Sequence, residues 1–205
     1  MQWVSDLLRL GRPLPAVVHP GWRLLSEAAG DGLPVPVGAV LLSPDLGPLR
    51  AGEQVDVRSA LRRPKPPAPL STDDQAPLAA ALALAWGDGG AGEVLVARAP
   101  DAVHAGTARL QPEAGCDEVT AYEVTGAARA VGAGPRELLV PRLRARQRAH
   151  RGGDRWRTPL PPWGMRLARL LRAARPRVDG GELEWADDGR RCWLLALHPA
   201  APPAG

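Results

Sequence analysis

The sequence predicts an α+β protein: a mixed sheet with a buried Ala/Leu helix, then a C-terminal basic amphipathic helix followed by a β-hairpin. Three observations carry that expectation. Ala and Leu fill most of the segment Gln75 to Trp86, and a helix that is apolar almost all round should be buried. Leu167, Leu170, Leu171 and Ala174 fall within about a 100° arc of a helical wheel, with Arg166, Arg169, Arg172 and Arg175 fanned over the opposite side. Two alternating apolar runs, 182–186 and 191–195, flank Asp187-Asp188-Gly189-Arg190, and Asp-Gly in that setting is a strong hairpin signal.

Composition bounds what these elements can build. A chain of 205 residues can bury roughly 70% of its unfolded surface, so it needs no disulfides or metals to hold a core. No run of about 18 apolar residues occurs, so no transmembrane helix is expected. The chain has no Phe, Ile or Asn, and a single Lys (Lys65) stands against 25 Arg. The depleted residues use AT-rich codons, which points to a GC-rich genome. Arg in place of Lys is therefore partly a coding habit, and Trp and Leu must fill the core that Phe and Ile usually share. Cys116 and Cys192 form no C-x-x-C motif, and they read as buried thiols with a disulfide between them left open. The N-terminus carries Asp6 and lacks a long apolar core, so it is not a secretory signal and a cytoplasmic location is expected.

Along the chain, Trp3, Val4, Leu7 and Leu8 share one helical face, and Gly11 with Pro13 ends that short helix. A second helix runs from Gly21 to Ala29. Val35 to Leu42 reads as a buried strand, and Gln54 to Ser59 as a half-buried one with Val55 and Val57 inward and Asp56 and Arg58 outward. The segment 63–69 is a polyproline-like connector. Ser71-Thr72-Asp73-Asp74 resembles a capping box ahead of the Ala/Leu helix, in which Leu84 and Trp86 should be deeply buried. Glu93 to Arg98 reads as a central strand and Glu118 to Val124 as a further one. The order of elements suggests an α/β or α+β layer over 35–125.

Charge is segregated. Between Arg129 and Arg177 there are fourteen Arg against two acids, Glu137 and Asp154, while the whole chain is only +4. The expected organisation is an acidic layer over 1–128, a basic helix-plus-hairpin region over 129–197 and a frayed tail over 198–205. Like charges repel, so either the acidic remainder or an external polyanion should meet the basic stripe. Arg pairs bidentately with phosphate. The expected phosphate contacts are Arg142, Arg144, Arg146, Arg148, Arg151, Arg155, Arg157, Arg166, Arg169, Arg172 and Arg175. Trp156 and Trp163 would serve either as stacking platforms for bases or as core residues. Helix then hairpin is also the order that ends a winged helix, although the Pro-rich 158–162 does not suit the helix that should precede it. The favoured function is non-enzymatic binding of nucleic acid, DNA or RNA. The alternative is a scaffold or assembly subunit that docks its basic face on an acidic protein.

Catalytic signatures are missing from the sequence. The four His (His19, His104, His150 and His198) are widely spaced, with no H-E-x-x-H, G-x-S-x-G or P-loop pattern. No cofactor, metal or oligomeric state is indicated. Asp73-Asp74 reads as a cap and Asp187-Asp188 as a turn. The stretch Pro77 to Ala85, followed by Glu93 to Leu110, resembles biotin and lipoate protein ligases over about 35 residues. Pro100 and Asp101 match part of that family's motif, Arg98 and Arg109 stand at its two Lys positions, and its Gly-Arg-Gly-Arg loop is absent upstream. The resemblance implies a degenerate ligase-like protein, with a related fold and no Lys to polarise an adenylate.

Overall fold

In the computed structural model the apolar run Val94–Arg98 is the middle strand of a five-stranded antiparallel sheet. Residues 7–41, 52–59, 70–88, 93–110, 116–125, 130–131, 136–141, 160–178 and 180–200 are described. The chain divides into two units, Met1–Pro100 and Asp101–Gly205. This boundary differs from the charge boundary near residue 128, which falls inside the second unit.

The first unit contains β1 (Leu7–Arg9), α1 (Pro20–Gly30), β2 (Gly38–Leu41), β3 (Gln54–Ser59), β4 (Leu70–Ser71), α2 (Gln75–Asp88) and β5 (Val94–Arg98), with strand order β1-β2-β5-β3-β4. Val94 to Ala97 is buried on both faces, as an unbroken apolar run in mid-sheet should be. Leu78, Leu82 and Ala85 of α2 form a core with Leu41, Val55, Val94 and Val96. α1 starts as proline and capping rules require. Pro20 occupies the first turn, and His19 Nδ1 accepts a hydrogen bond from the Gly21 amide. Trp22, Leu25 and Ala28 are its buried residues, together with Ser26.

Four local expectations are corrected here. Leu7 and Leu8 lie in β1, paired with Leu41 and Val40, and not in a helix. α2 is not buried all round, because Leu84 is 55% exposed and Trp86 is half-buried. Ala has too little apolar surface to force burial, so the sheet sets which side of the helix is covered. Asp56 and Arg58 do not face solvent; they are buried and ion-paired with each other. Before α2, the Ser71 hydroxyl accepts from the Asp73 amide, a local turn instead of a capping box.

The second unit contains β6 (His104–Arg109), β7 (Cys116–Thr125), β8 (Ala130–Val131), β9 (Arg136–Pro141), α3 (Pro162–Val178), β10 (Glu182–Asp187) and β11 (Cys192–His198). Its sheet runs β11-β10-β6-β7-β8, with β9 also on β7. The α+β class and the order of helix then hairpin hold. The hairpin is no wing, however: β10 sits between β11 and β6 inside the sheet. The single mixed sheet resolves into two sheets whose pairings are antiparallel. Gly189 takes φ 86 in the turn, the left-handed conformation that Asp-Gly turns use.

Candidate functional site

Strand register sorts the second sheet into two faces. Asp117, Val119 and Ala121 of β7 lie opposite Val140, Leu138 and Arg136 of β9. Across the sheet, Val119 pairs with Ala108 and Ala108 with Leu183, while Gly106 pairs with Trp185 and His104 with Asp187. Contacts place α3 against this face. Leu167, Leu170, Leu171 and Ala174 are buried along the helix.

Two arginines of α3 turn back to this same face. Arg166 donates from Nε and Nη2 to the two oxygens of Asp187, both at 2.7 Å. Asp187 is fully buried and also accepts the Gly189 amide at 3.0 Å. Hydrogen bonding to Asp187 holds the Arg166 guanidinium above its usual range, against the opposing effect of burial. Arg175 Nη2 donates to Asp117 Oδ1, and Asp117 is buried. The helix therefore meets acids supplied by its own sheet. Arg169 and Arg172 are exposed.

Aromatic packing occupies the same face. Trp163 stacks on His104 (centroids 5.1 Å) and on Trp185 (5.5 Å), and it is buried. That is the core role open to a Trp in a chain without Phe, and it leaves no open ring face for a base. Cys192, paired with Asp187 in register, is a free buried thiol, so the disulfide left open by the sequence is not formed. Burial first, and then the Asp187 charge, pushes that thiol up and away from reactivity. In the turn, Asp188 accepts the Arg190 and Arg191 amides and the Trp193 indole N–H. Burial would raise its pKa, but those three bonds outweigh it and hold the carboxyl below its usual 3.8.

The opposite face carries the polar constellation. Glu182 and Glu184 of β10 lie there, in register with His198 and Ala196 of β11 and with Arg109 and Thr107 of β6. Arg109 and Thr107 in turn face Glu118 and Thr120 of β7. Glu184 is only 4% exposed, and His198 Nε2 donates to its Oε1 at 2.7 Å. At the β8 end, Ala102, Ala105, Ala186 and Leu195 close this face with a small apolar cluster. A buried carboxylate held by a half-buried His, away from the docked helix, is the strongest candidate site among the described residues. Sequence reasoning missed it. Alternation along 182–186 put Glu182 and Glu184 on one face, but His198 was assigned to a frayed tail, so the pair was not visible.

Of the expected nucleic-acid contacts, Arg142, Arg144, Arg146, Arg148, Arg151, Arg155, Arg157 and Trp156 lie outside the described residues. The structure brings together Trp163 and Arg166 at one end of α3 and Arg175 nearer the other, on internal partners. Among the described residues no three His, Cys, Asp or Glu converge to hold a metal, and no helix is long and apolar enough to cross a membrane. The stretch resembling biotin and lipoate ligases is divided, with β5 in the first unit and β6 in the second.

No protein-family model matches the chain, and no curated protein matches its sequence. In fold it is similar to D-alanine--D-alanine ligase from Bacillus anthracis, with TM-score 0.50 and 10% identity over 83% of this chain and 52% of that one. The same ligase complexed with ATP gives 0.51 and 10% identity over 83% and 51%. L-amino acid ligase from Bacillus licheniformis gives 0.51 and 11% identity over 88% and 40%. The chain thus spans about half the length, or less, of these solved structures. At 10–11% identity the likeness to these ligases is one of fold. This corrects the expectation of a non-enzymatic nucleic-acid-binding protein: the solved structures that share the fold are ligases, and Arg166 and Arg175 of the basic helix pair with acids of its own sheet.

Proposed function

We propose that this chain is an ATP-binding module of a ligase-type enzyme. The fold likeness carries this reading: it extends over more than four-fifths of the chain and includes a ligase complexed with ATP. The polar face of the second sheet supports it. Triphosphate is bound through cationic and hydrogen-bonding groups, and this face offers His198, Arg109, Thr107 and Thr120 beside Glu184. A ligase that spends ATP on joining an amino acid must activate a carboxylate, so amino acids are the substrate class to try first.

Isothermal titration with ATP tests the reading, with release of ADP in the presence of mixed amino acids as a second measurement. Saturable binding is expected within about 1 μM–1 mM, the usual range for enzyme substrates. ATP at about ten times its Kd should stabilise the fold by about 1.4 kcal/mol. No saturation and no stabilisation at about 1 mM ATP would overturn the reading.

A further inference from the structure

The last ladder pair of β10 and β11 joins Glu182 to His198. The next pair along would be Gly181 with Pro199, and it cannot close. Proline has no N–H to donate, and the backbone of Gly181 is committed elsewhere. Its amide donates to the Val178 carbonyl at the end of α3, and its carbonyl accepts from the Leu110 amide just beyond β6. The ladder therefore stops at His198, and another feature must let the end of β11 lie close against the start of β10.

That feature is the missing side chain of Gly181. A Cβ there would lie 2.3 Å from the His198 carbonyl oxygen, 3.0 Å from that of Val178 and 3.1 Å from Ala200 N. All three are backbone atoms, which cannot rotate aside as the tip of a side chain can. Among the described glycines only Gly106 meets a closer atom, the Thr120 carbonyl oxygen at 1.8 Å. The two tightest approaches thus fall on His198 and Thr120, both residues of the polar face. At His198 the closeness has a direct consequence. Directly across from Glu184 stands Ala196, and His198 reaches the carboxylate from the diagonal position, Nε2 to Oε1 at 2.7 Å. The His198 carbonyl would have to retreat about 0.7 Å before a Cβ cleared it at 3.0 Å. A bond of 2.7 Å has little more room than that, since an N···O contact near 3.6 Å is no longer a hydrogen bond.

We propose that Gly181 is a positioning residue for nucleotide binding on this face: its bare Cα seats the end of β11 so that His198 is held on Glu184 with its ring in one orientation. The proposal rests on the ATP reading above and adds a residue that acts through His198.

Calorimetric titration of ATP into wild type, G181A, H198A and the double variant tests it, with circular dichroism to confirm folding. H198A should weaken binding about tenfold, the loss of one hydrogen bond to a charged group. G181A should weaken it similarly, and the double variant should bind no more weakly than H198A. G189A alters a turn glycine whose Cβ meets nothing within 4 Å, and it should bind as wild type. Nitrogen-15 spectra supply a readout that does not depend on ATP: the hydrogen-bonded Nε2–H of His198 should be present in wild type and lost in G181A. G181A that binds like wild type and keeps that signal overturns the proposal and leaves the ATP reading standing. So does H198A that binds like wild type, or a double variant weaker than H198A. A G181A chain that does not fold overturns it as well, because Gly181 would then serve the sheet as a whole. The contact itself is read in wild type, where nuclear Overhauser effects should join the Gly181 α-protons to the Ala200 amide; their absence is equally fatal. If wild type binds no ATP, the ATP reading falls and takes the nucleotide role of Gly181 with it, while the Nε2–H signal still decides whether Gly181 seats His198.

Discussion

Each sheet is covered on one face by a helix, and the two helices are held by different physics. α2 rests on β3, β4 and β5 through Leu78, Leu82 and Ala85. Nothing charged lies between Gln75 and Gly87. α3 rests on β10, β11 and β9 through an apolar stripe as well, but Arg166–Asp187 and Arg175–Asp117 tie it in addition. Apolar burial is non-directional and scales with area, so it fixes which side of α2 is covered and little else. A bidentate guanidinium–carboxylate pair has one good geometry. It sets where along the sheet α3 may sit, and therefore how Trp163 is placed between His104 and Trp185. Of the basic stripe that suggested an external polyanion, Arg166 and Arg175 belong to this internal register, while Arg169 and Arg172 are exposed.

The largest test of the contrast is Leu78→Asp in α2. Leu78 is 1% exposed, and an unpaired buried charge should cost about 4 kcal/mol or more. Leu84→Asp, two turns away at a position 55% exposed, should cost under about 1 kcal/mol. Urea midpoints of the two variants measure the one-sidedness of the helix. Equal losses would mean that α2 is covered on both sides.

Asp187→Ala comes next and probes α3. It leaves the Arg166 guanidinium and the Gly189 amide without their acceptor, while Arg166 retains partial access to water. The expected loss is about 2–3 kcal/mol. Changes in near-ultraviolet circular dichroism should accompany it, because the Trp163–Trp185 stack lies beside the pair. A loss below about 0.5 kcal/mol would show that apolar packing alone positions α3, as it does α2.

How much of this was legible in the sequence depended on the same distinction. Alternation, wheel periodicity and Asp-Gly chemistry located β3, β5, α3 and the β10–β11 hairpin, because each is a local pattern. Leu7 and Leu8 read as helical, since their strand exists only through pairing with β2, some thirty residues on. β6 was overlooked because His104-Ala105-Gly106-Thr107-Ala108-Arg109 has a weak strand composition; its place comes from neighbours on both sides. Gly106 is required there, as a Cβ at that position would lie 1.8 Å from the Thr120 carbonyl oxygen. The Arg stripe was read correctly as amphipathic, but the carboxylates it meets are distant in sequence. Glu184–His198 was hidden for the same reason, since it is made by strand register.

The turn that joins β10 to β11 offers a smaller effect. Gly189 has positive φ, and a Cβ added there meets nothing within 4 Å. Gly189→Ala therefore isolates backbone strain, expected at about 1 kcal/mol. A thermal midpoint equal to that of the wild type would mean that the turn relaxes without consequence for the Arg166–Asp187 pair.

The smallest effect belongs to Asp188, and its value lies in its pH dependence. Three donors hold this carboxyl, namely the Trp193 indole and the Arg191 and Arg190 amides, and together they lower its pKa below the usual 3.8. A lowered folded-state value means that the ionised form is favoured by folding. The stabilisation is then complete above the ordinary carboxylate value and is lost as pH falls through the lowered one. Asp188→Asn keeps an oxygen for the amides but places an NH2 group against the Trp193 N–H. The expected cost near neutrality is about 0.5 kcal/mol, reduced by the partial exposure of the site. Thermal midpoints of wild type and variant should differ most above pH about 4 and draw together below it. A gap that stays constant to the acid limit would assign the loss to the donor–donor contact alone, and would remove the Asp188 charge from the forces that close this hairpin.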